Sequence, residues 1–376
     1  KMEMAARRRG VSTASGAPSV YALWLMATTP QKLAILFGGT SAEHEISLRS
    51  ARAVCEHLDT ERFEVILCGI SPSGLWLDQA TSAALLAGEA LPQDAKLAAS
   101  RVPVLPNGVD VVFPVLHGPG GEDGTLQGWL ELLGVPFVGS GCVGSALAMD
   151  KALTKHVLRS CNIPVVPWTD IRRREWDQER DAVLANVMKR HDKFPLFVKP
   201  TAQGSSVGIR KVKDESELQE AMDYAFEFGD AIMVEKAIVG REYEIALLDN
   251  QGEVLISEVG EISTADWYDY DSKYTNDTAV LTAPSETIAP ALAGHMKEHA
   301  LKAARVLRLR GMARVDFLME KSTGRFALNE INTLPGFTSI SMFPMLMAAA
   351  GVDMKQLVNR LVDAALERAK PSAGSA

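Results

Sequence analysis

The chain has 376 residues, more than one hydrophobic core usually supports, so two or three domains are expected. Hydrophobic residues make up 47% of the chain and charged residues 23%, a composition typical of a globular protein. The formal net charge of −8 argues against a nucleic-acid partner, because such a partner requires a basic surface that neutralises phosphates.

Residues 1–30 are expected to be a disordered leader that the folded protein does not need. Their one apolar run is Tyr21–Leu25. This run is far shorter than the roughly 20 residues that cross a bilayer. It is also shorter than the apolar core of a signal peptide, which has about 7–15 residues. No membrane contact is therefore predicted for this segment.

An N-terminal domain is predicted over residues 31–148. Its elements, in chain order, are the strand Leu33–Phe37, the helix Glu43–Leu58, the strands Phe63–Ile70 and Val109–Leu116, and the helix Thr125–Leu133. A continuous apolar run that ends at glycines is typical of a strand buried on both faces. Strands that alternate with helices predict a parallel sheet with helices on both faces, which is an α/β domain.

Two α+β domains are predicted to follow, over residues 149–236 and 237–370. The elements of the first are the helix Lys151–Arg159, the strand Phe194–Lys199, the helix Glu215–Phe228 and the strand Ala231–Glu235. The second has two hairpins, Tyr243–Leu248 with Glu253–Val259 and Ala313–Met319 with Arg325–Ile331. Between these hairpins, the polar stretch Thr264–Thr278 has the length and composition of a lid over an active site.

The strongest chemical signal lies in the last predicted hairpin, with Arg314 and Asp316 on one strand and Glu330 and Asn332 on the next. Alternate residues of a strand share a face, so the four side chains are expected side by side. Three oxygen-bearing side chains suit Mg²⁺, and an arginine beside the metal would stabilise charge on a transferred phosphoryl group. A solvated hairpin face with cross-strand ion pairs would show the same pattern.

Two further segments indicate contacts with a nucleotide, each with a simpler alternative. Lys199 and the loop Gly204–Gly208 could cradle phosphate oxygens, although a flexible hairpin tip has the same composition. Glu235 and Lys236, with Glu242 nearby, could contact a base and a ribose, or they could form a charged linker.

Two glycine-rich turns mark the first domain. Gly38–Glu43 and His117–Gly124 each follow a predicted strand and precede a predicted helix. Both are expected at the carboxyl edge of a parallel sheet, where such folds bind ligands with free backbone N–H groups.

Two motif matches point to other classes of protein. Gly139–Gly144 fits the Gly-x-Gly-x-x-Gly pattern of an NAD-dependent oxidoreductase, with Asp170 downstream. Pro164 and Pro167 interrupt the strand that should lead to this aspartate. His295–His299 fits the pattern of a zinc peptidase. It lies on a predicted amphipathic helix, and its histidines are expected to face solvent.

Taken together and in this order, these segments resemble the D-alanine–D-alanine ligase family of the ATP-grasp superfamily. The resemblance runs from about Lys32 to Ala365, and the motifs that carry it are Leu36–Ser47, His117–Gly128, Met149–Lys151 and Asn329–Gly336. It implies an α/β domain followed by two α+β domains that form an ATP-grasp fold. It also implies ATP-dependent ligation of two D-alanine molecules through an acyl phosphate, for peptidoglycan precursor and cell wall synthesis.

The resemblance implies a role for each site residue. The residues that would contact the amino acids or the reacting atoms are Glu43 and His117 at the first D-alanine, Ser341 and Met342 at the second, Arg314 and Gly336 at the tetrahedral intermediate, and Ser205 and Tyr274, which would close the lid onto Glu43. ATP would be bound by Lys151, Phe197, Lys199, Ser205, Glu235, Lys236, Ile238, Glu242, Lys273 and Leu318. Two Mg²⁺ (or Mn²⁺) ions would be bound by Asp316, Glu330 and Asn332.

The resemblance leaves one close rival, a depsipeptide ligase that makes D-alanyl-D-lactate. Tyr274 is typical of the dipeptide-forming enzymes, which favours amide formation. Met342 departs from the leucine that is usual in the family but remains apolar. An NAD-dependent oxidoreductase and a non-catalytic nucleotide-binding module are the remote alternatives. The expected partners are D-alanine, ATP and a second copy of the chain in a cytoplasmic homodimer, without nucleic acid or membrane.

Overall fold

The computed structural model describes residues 30–89, 100–250, 253–263, 280–338 and 340–369. Residues 1–29 of the predicted leader lie outside the described residues, as does the predicted lid with Lys273 and Tyr274. Within the described ranges the strands form three sheets, and no helix there is both long and apolar enough to cross a bilayer.

The first sheet is parallel. Its strands and the helices around it are β1 (Gln31–Gly38), α1 (His44–His57), β2 (Phe63–Ile70), α2 (Gln79–Ala87), β3 (Val111–Pro114), α3 (Thr125–Leu133) and α4 (Cys142–Met149). The strand order is β2-β1-β3. The apolar run Leu33–Phe37 is completely buried, and each of its leucine, isoleucine and phenylalanine side chains contributes about 1.5–3 kcal/mol on burial. The run therefore makes β1 the central strand and leaves the turn after Gly38 at the carboxyl edge of the sheet.

The second sheet is antiparallel. Its elements are α5 (Lys151–Ser160), β4 (Trp168–Arg172), α6 (Arg173–Arg190), β5 (Leu196–Pro200), β6 (Arg210–Val212), α7 (Leu218–Phe226) and β7 (Ala231–Lys236). The strand order is β4-β7-β5-β6, with β4 at one edge. The prolines at 164 and 167 precede β4, which fits their exclusion from central strands. This sheet and its helices α6 and α7 bury an apolar core of their own.

The third sheet is also antiparallel. Its elements are β8 (Gly240–Asn250), β9 (Glu253–Ile256), β10 (Gly260–Ser263), β11 (Val280–Thr282), α8 (Pro290–Val306), β12 (Met312–Glu320), β13 (Phe326–Asn332), α9 (Met342–Ala349) and α10 (Met354–Arg368). The order is β11-β10-β8-β12-β13, and β9 pairs with β8. The two predicted hairpins are therefore present, and β8 and β12, one strand from each, pair with one another.

The first and last parts of the chain share one core. Apolar residues of α9 and α10 pack with those of β1, β3 and α1 in a single buried cluster. Asn359 of α10 donates a hydrogen bond to the carbonyl oxygen of His57 at the end of α1, at 3.2 Å. This packing brings the carboxyl edge of the parallel sheet to the end of β13. The predicted boundaries at 148/149 and 236/237 stay predictions.

Candidate active site

A cavity of ≈ 470 Å³ lies where the carboxyl edge of the parallel sheet meets the end of β13. All three predicted domains contribute to its lining. The predicted site residues that line it are Glu43, His117, Lys151, Ser205, Arg314, Glu330, Asn332, Gly336, Ser341 and Met342. It is also lined by Glu122, Gln203 and Glu244, to which the sequence assigned no role.

The carboxylate of Glu43 lies between two glycines. Glu43 directly precedes α1 and accepts a hydrogen bond from the hydroxyl of Ser205. A Cβ atom on Gly118 would lie 2.7 Å from Oε2 of Glu43, and one on Gly204 would lie 2.6 Å from the same atom. Both glycine-rich turns therefore approach one buried carboxylate closely, and this carboxylate is suited to a ligand's ammonium group.

His117 connects α1 to the turn that carries Gly336. Its Nδ1 lies 3.0 Å from the carbonyl oxygen of Leu334, which can only accept, so Nδ1 carries the proton. Its Nε2 accepts from the hydroxyl of Ser50 at 2.9 Å, and the oxygen of Ser50 accepts from the N–H of Phe337 at 3.3 Å. Burial lowers the pKa of His117, which keeps the ring neutral. The imidazole thus orders the Leu334–Phe337 turn.

Glu122 is a site residue that sequence reasoning did not single out, although it lies inside the predicted His117–Gly124 turn. Its carboxyl group accepts from the N–H of Gly118 at 2.8 Å and from the N–H of Leu334 at 3.3 Å. Burial, assisted by the charge of Glu43, raises the pKa of Glu122 to about 8. A glutamate in a glycine-rich loop is usually exposed, so the sequence pattern gave no reason to expect one that is largely shielded from solvent.

The predicted phosphate loop meets α5 at the cavity. Nζ of Lys151, the first residue of α5, donates to the carbonyl oxygen of Gln203 at 2.7 Å and lies 3.6 Å from Glu330. Ser205 and Ser206 have φ angles of +46° and +60°. Non-glycine residues rarely adopt this left-handed conformation, and such backbone strain is often found where ligands are held.

The paired strands β12 and β13 bring the predicted metal residues together. Asp316 lies opposite Glu330, and Arg314 lies opposite Asn332. The buried carboxylate of Asp316 accepts from Arg314 at 2.8 and 2.7 Å and from the Asn332 amide at 2.9 Å. Nε of Arg314 also lies 3.1 Å from Glu244 on β8. Burial opposes the charge of Arg314, but Asp316 and Glu244 outweigh it and raise the pKa of Arg314 well above its ordinary value.

The corner of the site around Arg314 and Asp316 also has the oxygen ligands that a divalent cation needs. Carboxylate oxygens of Glu242, Glu244 and Asp316 lie within 4.8 Å of one another. With Glu330, the corner has four carboxylates, against the two cationic side chains of Arg314 and Lys151 among the residues that the structure describes. This excess of negative charge and these hard oxygen ligands fit Mg²⁺ or Mn²⁺. Glu242 and Glu244 alternate along one strand, and this is the sequence pattern that could have placed both carboxylates on one face of the sheet.

The predicted second-substrate residues lie at the start of α9. Oγ of Ser341 lies 2.8 Å from Oγ1 of Thr338, in the turn after Gly336. A Cβ on Gly336 would lie 2.9 Å from Oγ of Ser341, so the glycine permits this close contact. Met342 lines the cavity together with Ile262 and Leu281, and the three form an apolar wall.

The remaining predicted ATP residues lie outside the lining of this cavity, on or next to strands β5, β7, β8 and β12 of the second and third sheets. Lys236 at the end of β7 pairs with Glu320 at the end of β12, at 2.6 Å. Glu235 pairs with Lys199, and Leu318 lies opposite Glu242. The residues placed here are Phe197, Lys199, Glu235, Lys236, Ile238, Glu242 and Leu318. Asp316 is also absent from the lining, since it is buried beneath Arg314.

The two motifs that suggested other classes have structural explanations. Gly144 lies within α4, where a Cβ would be 3.2 Å from the carbonyl oxygens of Leu307 and Arg308. A Cβ on Gly311 would lie 2.9 Å from the Cα of Gly139, so the Gly139–Gly144 run permits close packing. His295 is exposed as predicted, but His299 is half-buried against Phe326, which corrects that part of the prediction.

Family models match both halves of the chain. The model described as D-ala D-ala ligase N-terminus matches residues 32–140, and the one described as D-ala D-ala ligase C-terminus matches residues 157–363. The chain is 46% identical over 340 residues to a protein named D-alanine--D-alanine ligase from Deinococcus radiodurans, an alignment that covers 90% of this chain and 99% of the relative.

Two solved structures are similar in both fold and sequence. The VanG D-Ala:D-Ser ligase from Enterococcus faecalis aligns with a TM-score of 0.77 and 35% identity, over 89% of this chain and 99% of that one. The D-alanine-D-alanine ligase from Coxiella burnetii aligns with a TM-score of 0.75 and 34% identity, over 90% and 96%. The predicted ATP-grasp fold class is thereby confirmed. The chain belongs to the D-alanine–D-alanine ligase family.

Proposed function

We propose that the protein joins two D-alanine molecules in an ATP-dependent reaction that passes through D-alanyl phosphate. The observation that carries this proposal is one cavity that gathers the carboxylate of Glu43, the amine of Lys151 and the guanidinium of Arg314. These groups complement an ammonium, a phosphate and a developing oxyanion, respectively. The names of the relatives support the substrates, since most of those described above are named for the joining of D-alanine to D-alanine.

The chemistry has two steps because a carboxylate is a poor electrophile. A carboxylate oxygen of the first D-alanine would attack the terminal phosphorus of ATP, and ADP would leave. The neutral amine of the second D-alanine would then attack the acyl carbon; the bond between this carbon and the phosphate oxygen would break, and the departing phosphate would take the proton that the amine nitrogen loses. Catalysis of this kind depends on positioning and charge stabilisation, so a Ser-His-Asp set is not required.

Each side chain at the cavity has a task in this scheme. Glu43 would hold the ammonium of the first D-alanine, and Lys151 would bind phosphate oxygens. Arg314 and the N–H of Gly336 would stabilise the oxyanion of the tetrahedral intermediate. Because both ring nitrogens of His117 are hydrogen bonded within the protein, we assign it the task of fixing the turn that carries Gly336.

Asp316, Glu330 and Asn332 would hold two Mg²⁺ (or Mn²⁺) ions, with Glu242 and Glu244 adjacent. Such ions, when bound, neutralise the charge of the phosphates and orient them for in-line transfer. Asp316 contacts Arg314 in the structure, so it would exchange part of this contact for the metal. Glu244 would then remain as a carboxylate partner of Arg314 and keep the guanidinium in the cavity.

The apolar wall supports D-alanine as the second substrate. The methyl group of the second D-alanine would lie against Ile262, Leu281 and Met342. A hydroxyl group in the same place would find no hydrogen-bond partner among these three side chains. The D-serine for which the E. faecalis relative is named would place a polar group against this wall. A D-lactate methyl group would fit the same wall, so the preference for amide over D-alanyl-D-lactate formation rests on Tyr274, which the resemblance associates with the dipeptide-forming enzymes.

We further propose a cytoplasmic homodimer. The use of ATP and four unpaired cysteines suit a reducing compartment. Exposed apolar side chains occur on three consecutive helices, with Leu132 on α3 at 89% exposure, Val143 on α4 and Leu153 on α5. Where such side chains adjoin on the surface, they form the kind of apolar patch that is typical of a protein–protein contact. Light scattering of the protein would give twice the mass of the chain if this holds and a monomer mass if it does not.

The experiment that tests the proposed function is phosphate release from ATP with D-amino acids supplied singly and in pairs. We expect release with D-alanine alone and a dipeptide product by mass spectrometry. D-serine and D-lactate, each supplied with D-alanine, should give little mixed product at neutral pH. Phosphate release that is independent of any D-amino acid, or a predominant ester product, would refute the proposal.

A further inference from the structure

Lysines and carboxylates form two groups, one at the cavity and one beneath it at the second sheet. At the cavity, Lys151 lies 3.6 Å from Glu330. Deeper in the protein, Oε2 of Glu235 accepts from Nζ of Lys155 at 2.9 Å, and Oε1 of Glu235 contacts Nζ of Lys199. Lys155 is 0% exposed, and lysine is almost never fully buried unless it is paired. These three lysines and two carboxylates leave one positive charge in excess.

The elements explain why these side chains meet. Lys151 and Lys155 are separated by one turn of α5, so they share a face of the helix, with one amine at the cavity and the other beneath it. Glu235 on β7 lies opposite Phe197 on β5, which makes Lys199 its diagonal neighbour on the same face of the sheet. Glu235 is therefore placed between an amine from the helix and an amine from the sheet.

We propose that Lys155 is a positioning residue of the nucleotide site, which keeps Glu235 paired so that Lys199 can leave this carboxylate and bind the phosphates of ATP. The inference rests on the proposed function, in which Lys199 is a phosphate ligand. Removal of one partner from a buried ion pair leaves an uncompensated charge, which is strongly unfavourable. With Lys155 in place, the departure of Lys199 leaves Glu235 with a partner at 2.9 Å.

The charge of Glu235 sustains the cation on Lys155, whose pKa burial lowers and this carboxylate raises. Burial alone would raise the pKa of Glu235, but Lys155 and Lys199 outweigh it and lower the pKa to about 2. Glu235 is thus a permanent anion at any pH at which the protein is expected to work, and it requires a cation at all times. Lys155 has no access to solvent and cannot reach the cavity itself, so it acts on the nucleotide through Glu235 and Lys199.

A double-mutant cycle tests the proposal, with Lys155→Met, Glu235→Gln and the double variant. Methionine keeps the length of the lysine stem and removes its charge. In Lys155→Met we expect the affinity for Mg²⁺–ADP, measured by calorimetry without D-alanine, to fall about tenfold or more, since Lys199 would have to leave an otherwise unpaired carboxylate. The KM for ATP should rise with it, and the KM for D-alanine should stay unchanged.

In the Glu235→Gln background the same Lys155→Met change should have little effect on ADP affinity, because no anion remains to hold Lys199. Lys155→Met keeps the buried Glu235–Lys199 pair in the absence of nucleotide, so it is expected to fold; Glu235→Gln and the double variant leave the buried Lys199 without its carboxylate, so their thermal stability is measured beside the affinity. Lys297→Met is the matched control: it removes a lysine that pairs with Glu258 outside the site, and it should leave ADP affinity unchanged.

Two outcomes would overturn the inference: wild-type ADP affinity in Lys155→Met, or an equal loss in the wild-type and Glu235→Gln backgrounds. Either outcome, or thermal destabilisation alone, would make Lys155 a structural residue only. Failure of the wild-type protein to bind Mg²⁺–ADP or to release phosphate would instead count against the proposed function.

Discussion

The guanidinium of Arg314 donates a hydrogen bond to each carboxylate oxygen of Asp316, at 2.8 Å from Nε and 2.7 Å from Nη2. Both residues are on β12, and Glu330 and Asn332 face them from β13. An arginine held in this way is fully charged and fixed in direction. The arrangement places a permanent cation beside four carboxylates, at the point where we propose that phosphate is transferred.

Glu330→Gln tests the proposed metal site. Glu330 is partly exposed and lines the cavity, so its amide should be tolerated by the fold but should bind the metal poorly. We expect D-alanine-dependent ADP release to fall by about 100-fold or more. Glu258→Gln, which also changes a glutamate paired with a lysine, is the control and should retain activity. Unimpaired turnover in Glu330→Gln would contradict the metal assignment.

The raised pKa of Glu122 predicts that the stability of the protein depends on pH. Its pKa is raised to about 8 in the folded protein, against about 4.3 in an unfolded chain. Between these two pKa values the folded state binds one more proton than the unfolded state. The stabilisation that this proton gives is complete below the pKa of the unfolded chain, and it is lost as pH rises through about 8. Glutamine cannot ionise, so the Glu122→Gln variant should lose less stability between about pH 6 and about pH 9. Urea unfolding at several pH values measures this, and equal losses in both proteins would show that Glu122 does not titrate in this range.

Gly204→Ala tests the approach of the loop to Glu43. The new Cβ would lie 2.6 Å from Oε2 of Glu43, so the loop or the carboxylate must move. We expect kcat/KM for D-alanine to fall by about 10- to 100-fold. Gly229→Ala is the matched control, because its Cβ would find its nearest neighbour at 3.8 Å. Similar kinetics for the two variants would show that the close approach is not required.

Asp150→Ala tests the placement of Lys151. The carboxylate of Asp150 caps α5 by accepting from the N–H groups of Ala152 and Leu153, both at 3.0 Å. Asp353 caps α10 in the same way, by accepting from the N–H of Gln356 at 2.8 Å. Each alanine variant should lose about 1 kcal/mol of stability. Only Asp150→Ala should raise the KM for ATP, and a similar rise in Asp353→Ala would show that the effect is not local to Lys151.

The sequence predicted elements that depend on local patterns. The apolar run of β1, the helix at Thr125 and the strand pair at Arg314 follow from short-range periodicity and glycine positions, and all are present. Lys155 and Ser50 were not predicted, because their partners lie far away in the chain. Glu235 follows Lys155 by 80 residues, and Phe337 follows Ser50 by 287. Side chains that are paired only through tertiary packing leave no periodic pattern in the sequence.

The most direct test of the proposed reaction follows an oxygen atom. D-alanine labelled with ¹⁸O in both carboxylate positions should be incubated with ATP, Mg²⁺ and the protein, and the products should be analysed by mass spectrometry. An acyl-phosphate route predicts that the released phosphate carries one ¹⁸O atom, while the new peptide carbonyl keeps the other. Unlabelled phosphate released alongside the dipeptide, or no dipeptide at all, would contradict the account.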